Sequence, residues 1–265
     1  MNRVRPQKGN TLYWLLSDYS VLVRRSSVYI IRNMDQALST VVTPIMFLLL
    51  FRYVFGGAIE TPGVSYVNFL FAGILVQTIA FGSTYTALGV TTDIRRGIID
   101  RFKSLPMASS AVLVGHTVTD LVRNTISAVI MVLVGLFVGF RPTASVFEWL
   151  MVLGILMLFT FAFSWASAIM GLLSKTIEGV QWITFVFVFP VTFISSAFVP
   201  TDDMTPVVRA FAENQPVTHV IEAVRALTLG LPPENHGWLA VLWSAGILLV
   251  SFVVAVYLFN HRSAS

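Results

Sequence analysis

The sequence predicts an all-α, polytopic membrane protein with six transmembrane helices, and three observations predict it. The first is composition: 56% of the 265 residues are hydrophobic and only 11% are charged, well under half the roughly 25% usual for a soluble domain. A water-soluble exterior could not be assembled from such a chain, whereas lipid can solvate it. The second is the spacing of charge. Uncharged runs of 16, 32, 17, 26, 23 and 27 residues follow Asp35, Glu60, Arg123, Glu148, Glu178 and Glu234. About 20 apolar residues cross a bilayer core, and the two shorter runs reach that length with flanking residues such as Tyr53, Val54 and Phe55. The third is the bias of Lys and Arg toward alternate connections, which sets orientation.

Taken in order, residues 11–33 form an amphipathic helix. Leu12, Leu15, Leu16, Tyr19, Leu22, Val23 and Ile30 share one face, and Asp18, Arg24, Arg25 and Arg32 share the other. Basic residues opposite an apolar stripe suit the inner membrane interface. The spans follow near residues 36–57, 66–89, 107–139, 147–173, 179–199 and 237–260. Between spans two and three, residues 92–104 make a short cytoplasmic helix. Six charges fall in the 11 positions from Asp93 to Lys103, interleaved with Ile94, Ile98, Ile99 and Phe102. Pro106 ends it, because proline disfavours α geometry at Leu105 and breaks the ladder. The third span is long, and its first turns, carrying His116, Asp120 and Arg123, are expected to project into the cytoplasm. There Asp120 and Arg123 pair at i,i+3 on the helix surface. Residues 200–233 read as a short helical hairpin dipping into or lying on the outer face before span six. Val207, Val208 and Phe211, then Val220, Ile221, Val224 and Leu227, recur at helical spacing around the Asn214-Gln215-Pro216 break.

Six basic residues precede span one and four more lie between spans two and three, whereas the opposite-side loops hold only Arg52, Arg141, Arg209 and Arg225. Both segments therefore belong in the cytoplasm, and six spans return the C-terminus, with Arg262, to the same side. The expected location is the cell membrane, multi-pass, with both termini cytoplasmic. The pI near 9.6 follows from this topology and points to no nucleic-acid partner. Without internal repeats or a linker, residues 1–265 read as a single transmembrane domain.

Several chemistries are missing. There is no cysteine, so disulfides and thiolate sites are excluded. The four histidines are scattered and form no HExxH pair. No acidic residue is expected near the middle of a span, where ion-coupled transporters hold their ions. The run from Gly171 to Thr176 resembles a phosphate loop only superficially, since the glycine positions are Ser174 and Ile169. The chain thus spans the membrane without an energy source of its own, and its one elaborate cytoplasmic feature is a charged helix suited to docking on a partner.

Four runs carry a family resemblance. TPIMFLLLFRYVFGGAI (43–59) and TDIRRGIIDRFKSLPMASS (92–110), with its G-x-x-D-R-F-x-S-L-P-M pattern, resemble the first span and first cytoplasmic loop of type-2 ABC exporter permeases. SSAFVPTDDM (195–204) and ENQPVTHVIEAVRALTLG (213–230) resemble the end of span five and the outer hairpin. The likeness is greatest to the daunorubicin/doxorubicin-resistance permeases, and it runs in order over nearly the whole chain. It implies a non-catalytic permease subunit that binds no cofactor itself. ATP and Mg would sit in a separate cytoplasmic ABC ATPase, present in two copies beside two copies of the permease. It also implies that Asp93, Arg95, Arg96, Gly97, Asp100, Arg101, Phe102 and Lys103 form the docking handle for that ATPase, with residues 174–178 as a smaller contact. Relatives are Glu-rich early in this loop; here Asp93 is followed by Arg95 and Arg96, so the matching charges on the ATPase would differ.

The same resemblance places the substrate path along spans two and five, where permease subunits would meet. Gln77, Phe81 and Tyr85 share a face of span two, and Trp182, Phe185, Phe189 and Phe193 form a stripe on span five. Aromatic walls suit an amphiphilic drug, antibiotic, lipid or glycan conjugate, and an amide within a span needs a polar partner. The alternative is a lipid-modifying membrane enzyme using Asp202, Asp203 and His219 at the outer face. Helix capping by the two aspartates near Met204 competes with that reading.

Overall fold

The computed structural model describes residues 34–57, 59, 61, 63–98 and 111–261. The interfacial helix at 11–33 and most of the docking handle, including Asp100, Arg101, Phe102 and Lys103, lie outside the described residues. Within them the chain is helical and has no strand. In order, α1 is Met34–Leu50, continued by a π-helical turn Phe51–Phe55. Then come α2 (Tyr66–Gly82), α3 (Thr84–Arg95), α4 (Ala111–Val138), α5 (Val146–Leu173) and α6 (Ile177–Phe193). The chain closes with α7 (Pro206–Asn214), α8 (Pro216–Thr228) and α9 (Glu234–His261).

Among the described residues, four stretches are long and apolar enough to cross a membrane: Tyr66–Arg95, Val112–Val138, Val146–Leu173 and Glu234–His261. Two shorter apolar helices, Val41–Phe55 and Ile177–Phe193, accompany them. The chain is a multi-pass membrane protein. Its α2 is apolar on every side and is buried almost throughout, the central rod against which α1, α4 and α8 pack. Other helices keep one face out. On α4, Val122, Ile126, Val129, Leu133 and Phe137 stay exposed at steps of three and four, a stripe with lipid as its natural solvent. Helices α5 and α9, each 28 residues long, pack together, and α5 also receives α3 and α4.

Close approach of backbones sets the helix spacing. A Cβ on Gly171 would lie 2.6 Å from the carbonyl oxygen of Ala87, so α3 and α5 touch backbone to backbone. Thr91 Oγ1 donates to the Gly171 carbonyl at 2.9 Å beside that contact. Val90, Val112, Leu113, Trp165, Leu172 and Phe259 close one end of the bundle, which puts the end of α3 and the end of α9 at that same end.

Four sequence expectations change. The second helix does not end at 89: α3 runs through Arg95, and the chain turns at Arg96 and Gly97, whose φ of 64° suits glycine. The Asp120–Arg123 pair forms, but not on the surface. Asp120 is buried against α5, and the Arg123 side chain, 12% exposed, lies between it and α3, within the candidate span Val112–Val138. The helix expected at Met204 starts at Pro206, with Thr205 in the capping position, while Asp202 pairs with Arg209 at 2.7 Å. Arg225, counted as a loop charge, is buried in α8. Its Nε donates to the Phe69 carbonyl at 3.0 Å, its Nη2 donates to the Ser196 carbonyl at 2.6 Å, and Nη1 bonds Glu222. The guanidinium also stacks 3.7 Å from the Phe69 ring centre. With Val217, Val220, Ile221, Val224 and Leu227 in the main core, α8 is packed against α2, α5 and α9 rather than laid over them.

Candidate functional site: an aromatic cavity between α1, α2–α3 and α6

A cavity of about 310 Å³ opens where α1, the α2–α3 junction and α6 meet. Thr43, Pro44 and Phe47 line it from α1. Gln77, Thr78, Phe81, Gly82, Thr84 and Tyr85 line it from α2–α3, and Phe185, Phe189 and Phe193 line it from α6. Three phenylalanines at i, i+4 and i+8 fall on one side of α6 and stack in sequence. Ring centres are 4.8 Å apart for Phe185–Phe189 and 4.1 Å for Phe189–Phe193, and Phe193 continues onto Phe198 at 4.9 Å. Phe185 and Phe189 remain 47% and 36% exposed, so the cavity is open to the surface of the chain. Among the described residues, no charged side chain lines it.

Beside the threonines and Tyr85, the lining contributes one amide, Gln77. It is only 5% exposed, and its Nε2 has no hydrogen-bond partner. An amide hydrogen left unbonded in an apolar setting costs about 1–3 kcal/mol, so an acceptor on a bound molecule would relieve that cost.

Six of the seven path residues expected from the sequence therefore meet at one cavity: Gln77, Phe81, Tyr85, Phe185, Phe189 and Phe193. Trp182 does not. It is 68% exposed and meets Phe185 edge-on at 6.5 Å. In the handle, Arg95 and Arg96 are exposed, but Asp93 is buried with its Oδ2 3.0 Å from His116 Nε2. That carboxylate ties α3 to α4 instead of facing outward. Of the residues named for the enzymatic alternative, Asp202 is engaged by Arg209, and His219 Nδ1 lies 3.0 Å from His236 Nδ1.

Sequence reasoning missed a polar group behind the cavity. Ser164 Oγ of α5 donates to Asp120 Oδ2 at 2.5 Å, Asp120 pairs with Arg123, and the Arg123 guanidinium lies 4.5 Å from the Tyr85 ring centre. The signal was present in Ser164 and Gly82, small or polar residues in spans facing α4, and in Asn124 on α4 itself.

The profile of the ABC-2 type transporter family matches residues 17–229. The chain belongs to the ABC-2 type transporter family. Among its relatives is the daunorubicin resistance ABC transporter permease protein DrrB1 of Streptomyces coeruleorubidus. It is 30% identical over 229 residues, covering 86% of this chain and 81% of that protein. The putative transport permease ycf38 of Cyanophora paradoxa is 27% identical, covering 95% and 86%. The probable doxorubicin resistance ABC transporter permease protein DrrC of Mycobacterium tuberculosis is 24% identical, covering 84% and 80%. This ABC-2 chain is accordingly a membrane permease subunit without catalytic chemistry, and ATP hydrolysis belongs to a partner ATPase.

Proposed function

We infer that this permease exports an amphiphilic molecule (a drug, antibiotic, lipid or glycan conjugate) through the cavity between α1, α2–α3 and α6. The carrying observation is the conjunction of a stacked phenylalanine wall with the buried, unpartnered Gln77 amide. An apolar body packs on the rings while a polar head reaches the amide. Phe185 and Phe189 stay open, so cargo can arrive from the inner leaflet as well as from water. The names of the daunorubicin and doxorubicin resistance relatives favour the same class.

In this reading the four long and two shorter apolar helices make six spans, and α8 belongs to the outer hairpin. The end of α3 and the end of α9 lie at the same end of the bundle, which favours placing the handle and the C-terminus both in the cytoplasm, with the N-terminus there too. Two ATPase copies, carrying ATP and Mg, push on Arg95, Arg96 and the rest of the handle through residue 103. Two permease copies meet beside α6, whose Trp182, Val186 and Phe187 are exposed, rather than through the buried α2. Co-purification with an ABC ATPase tests the arrangement. The wild-type permease is expected to retain the ATPase, and Arg95→Glu/Arg96→Glu to release it. Undiminished binding by the charge-reversed protein would remove the handle from the account.

A further inference from the structure

The junction between α2 and α3 is a break in one long helix, and its geometry is specific. Thr78 Oγ1 donates to the Ile74 carbonyl at 2.7 Å, Ser83 Oγ to Ile79 at 2.9 Å, and Thr84 Oγ1 to Phe81 at 2.7 Å. Hydroxyls that bond carbonyls three or four residues back bend helices. The Thr86 amide bonds the Ser83 carbonyl at 3.2 Å, one residue short of its helical partner, Gly82. The Gly82 carbonyl accepts from Arg123 Nη2 of α4 at 3.4 Å instead. A Cβ at position 82 would collide with the Asn124 side chain, so glycine is what lets α4 come this close.

The same guanidinium lies over the Tyr85 ring, three residues beyond the break. Asp120 holds it by an ion pair and is itself fixed by Ser164 of α5. Gly82 and Tyr85 both line the cavity, and Arg123 does not. One largely buried side chain, 12% exposed, therefore secures the cavity wall on both sides of the break. Burying an ion pair is expensive, and ionisable groups inside spans are kept where they act. Joining α4 to α5 needs only a cation for Asp120. Spanning a carbonyl and an aromatic face at once needs a planar guanidinium.

We propose that Arg123 is a positioning residue for cargo binding: it sets the Gly82–Tyr85 wall of the cavity, with Asp120 and Ser164 orienting it. This rests on the cavity being the cargo site.

The test uses the purified full-length chain in lipid nanodiscs with daunorubicin as the fluorescent probe, together with thermal melting. Arg123→Lys keeps the cation for Asp120 and loses the planar reach. It is expected to melt close to wild type yet bind daunorubicin about tenfold more weakly, the scale of a desolvated cation–aromatic contact. Tyr85→Leu should bind equally weakly, whereas Tyr85→Phe, which keeps an aromatic face, should restore wild-type affinity. Phe189→Ala reports on the cavity itself. Weakened binding in Phe189→Ala with unchanged binding in Arg123→Lys and Tyr85→Leu would overturn the role of Arg123 and leave the cavity standing. Unchanged binding in Phe189→Ala would overturn the cavity reading. A second readout does not depend on cargo. The chain has no cysteine, so Thr84→Cys gives a single maleimide target in the wall. Its alkylation should speed up several-fold when Arg123→Lys is added. Should wild type fail to bind daunorubicin, an unchanged alkylation rate would by itself overturn the proposal.

Discussion

At the scale of single residues, two buried polar groups are placed oppositely. Arg225 makes three hydrogen bonds and a ring contact. Arg225→Leu leaves the Phe69 and Ser196 carbonyls and Glu222 without their donor, and it should cost about 3 kcal/mol, as breaking buried pairs does. Reversible unfolding in mixed micelles measures this. Gln77 has an unsatisfied amide, so Gln77→Met should raise stability by about 1 kcal/mol while lowering export several-fold. A loss of both would show that the amide serves packing. His219 supplies a pH dependence. Burial, then the neighbouring His236, push its imidazole below the usual value, against the pull of Glu222. The unfolded chain therefore takes up the proton first as pH falls. Stability should decline below about pH 6.5, the ordinary histidine value, and level off once the folded-state group also titrates. Melting between pH 8 and 5 should show that slope in wild type and a shallower one in His219→Gln.

At the scale of elements, the helices were legible because apolar runs between charges are a long-range signal that neighbouring residues do not scramble. The aromatic stripe on α6 was legible for the same reason: Phe185, Phe189 and Phe193 keep helical spacing. What stayed hidden depends on partners distant in sequence. Asp120 and Arg123 read as an exposed i,i+3 pair until α5 supplies Ser164 and α3 supplies Tyr85. Arg225 reads as a loop charge until the Phe69 and Ser196 carbonyls arrive from α2 and the segment after α6. Trp182 sits three residues before Phe185, yet it turns out of the cavity. Glycine contacts are hidden in the same way. Gly171→Val would press a side chain onto the Ala87 backbone and should destabilise by about 1–3 kcal/mol. Separation of α3 from α5 would show as faster labelling of a cysteine placed at Thr91.

At the scale of the whole molecule, the proposed function requires a push on the handle to become a change at the cavity. The path for it is short: α3 ends at the exposed Arg95, with Arg96 next to it, and starts beside Tyr85 in the cavity wall, where the break at Ser83 follows Phe81 and Gly82 of the cavity lining. Reversing both arginines should leave permease stability within about 0.5 kcal/mol, as surface changes do, while transport is lost. The central claim is that cargo passes the phenylalanine wall of α6. Its most direct measurement is ATP-driven daunorubicin uptake into inside-out vesicles carrying the permease and its ATPase. Phe189→Ala is compared with Phe137→Ala, which removes an exposed ring on the outside of α4. The account predicts that uptake falls at least several-fold in Phe189→Ala and stays near wild type in Phe137→Ala. Equal uptake by the two variants, with both proteins present at wild-type levels, would contradict it.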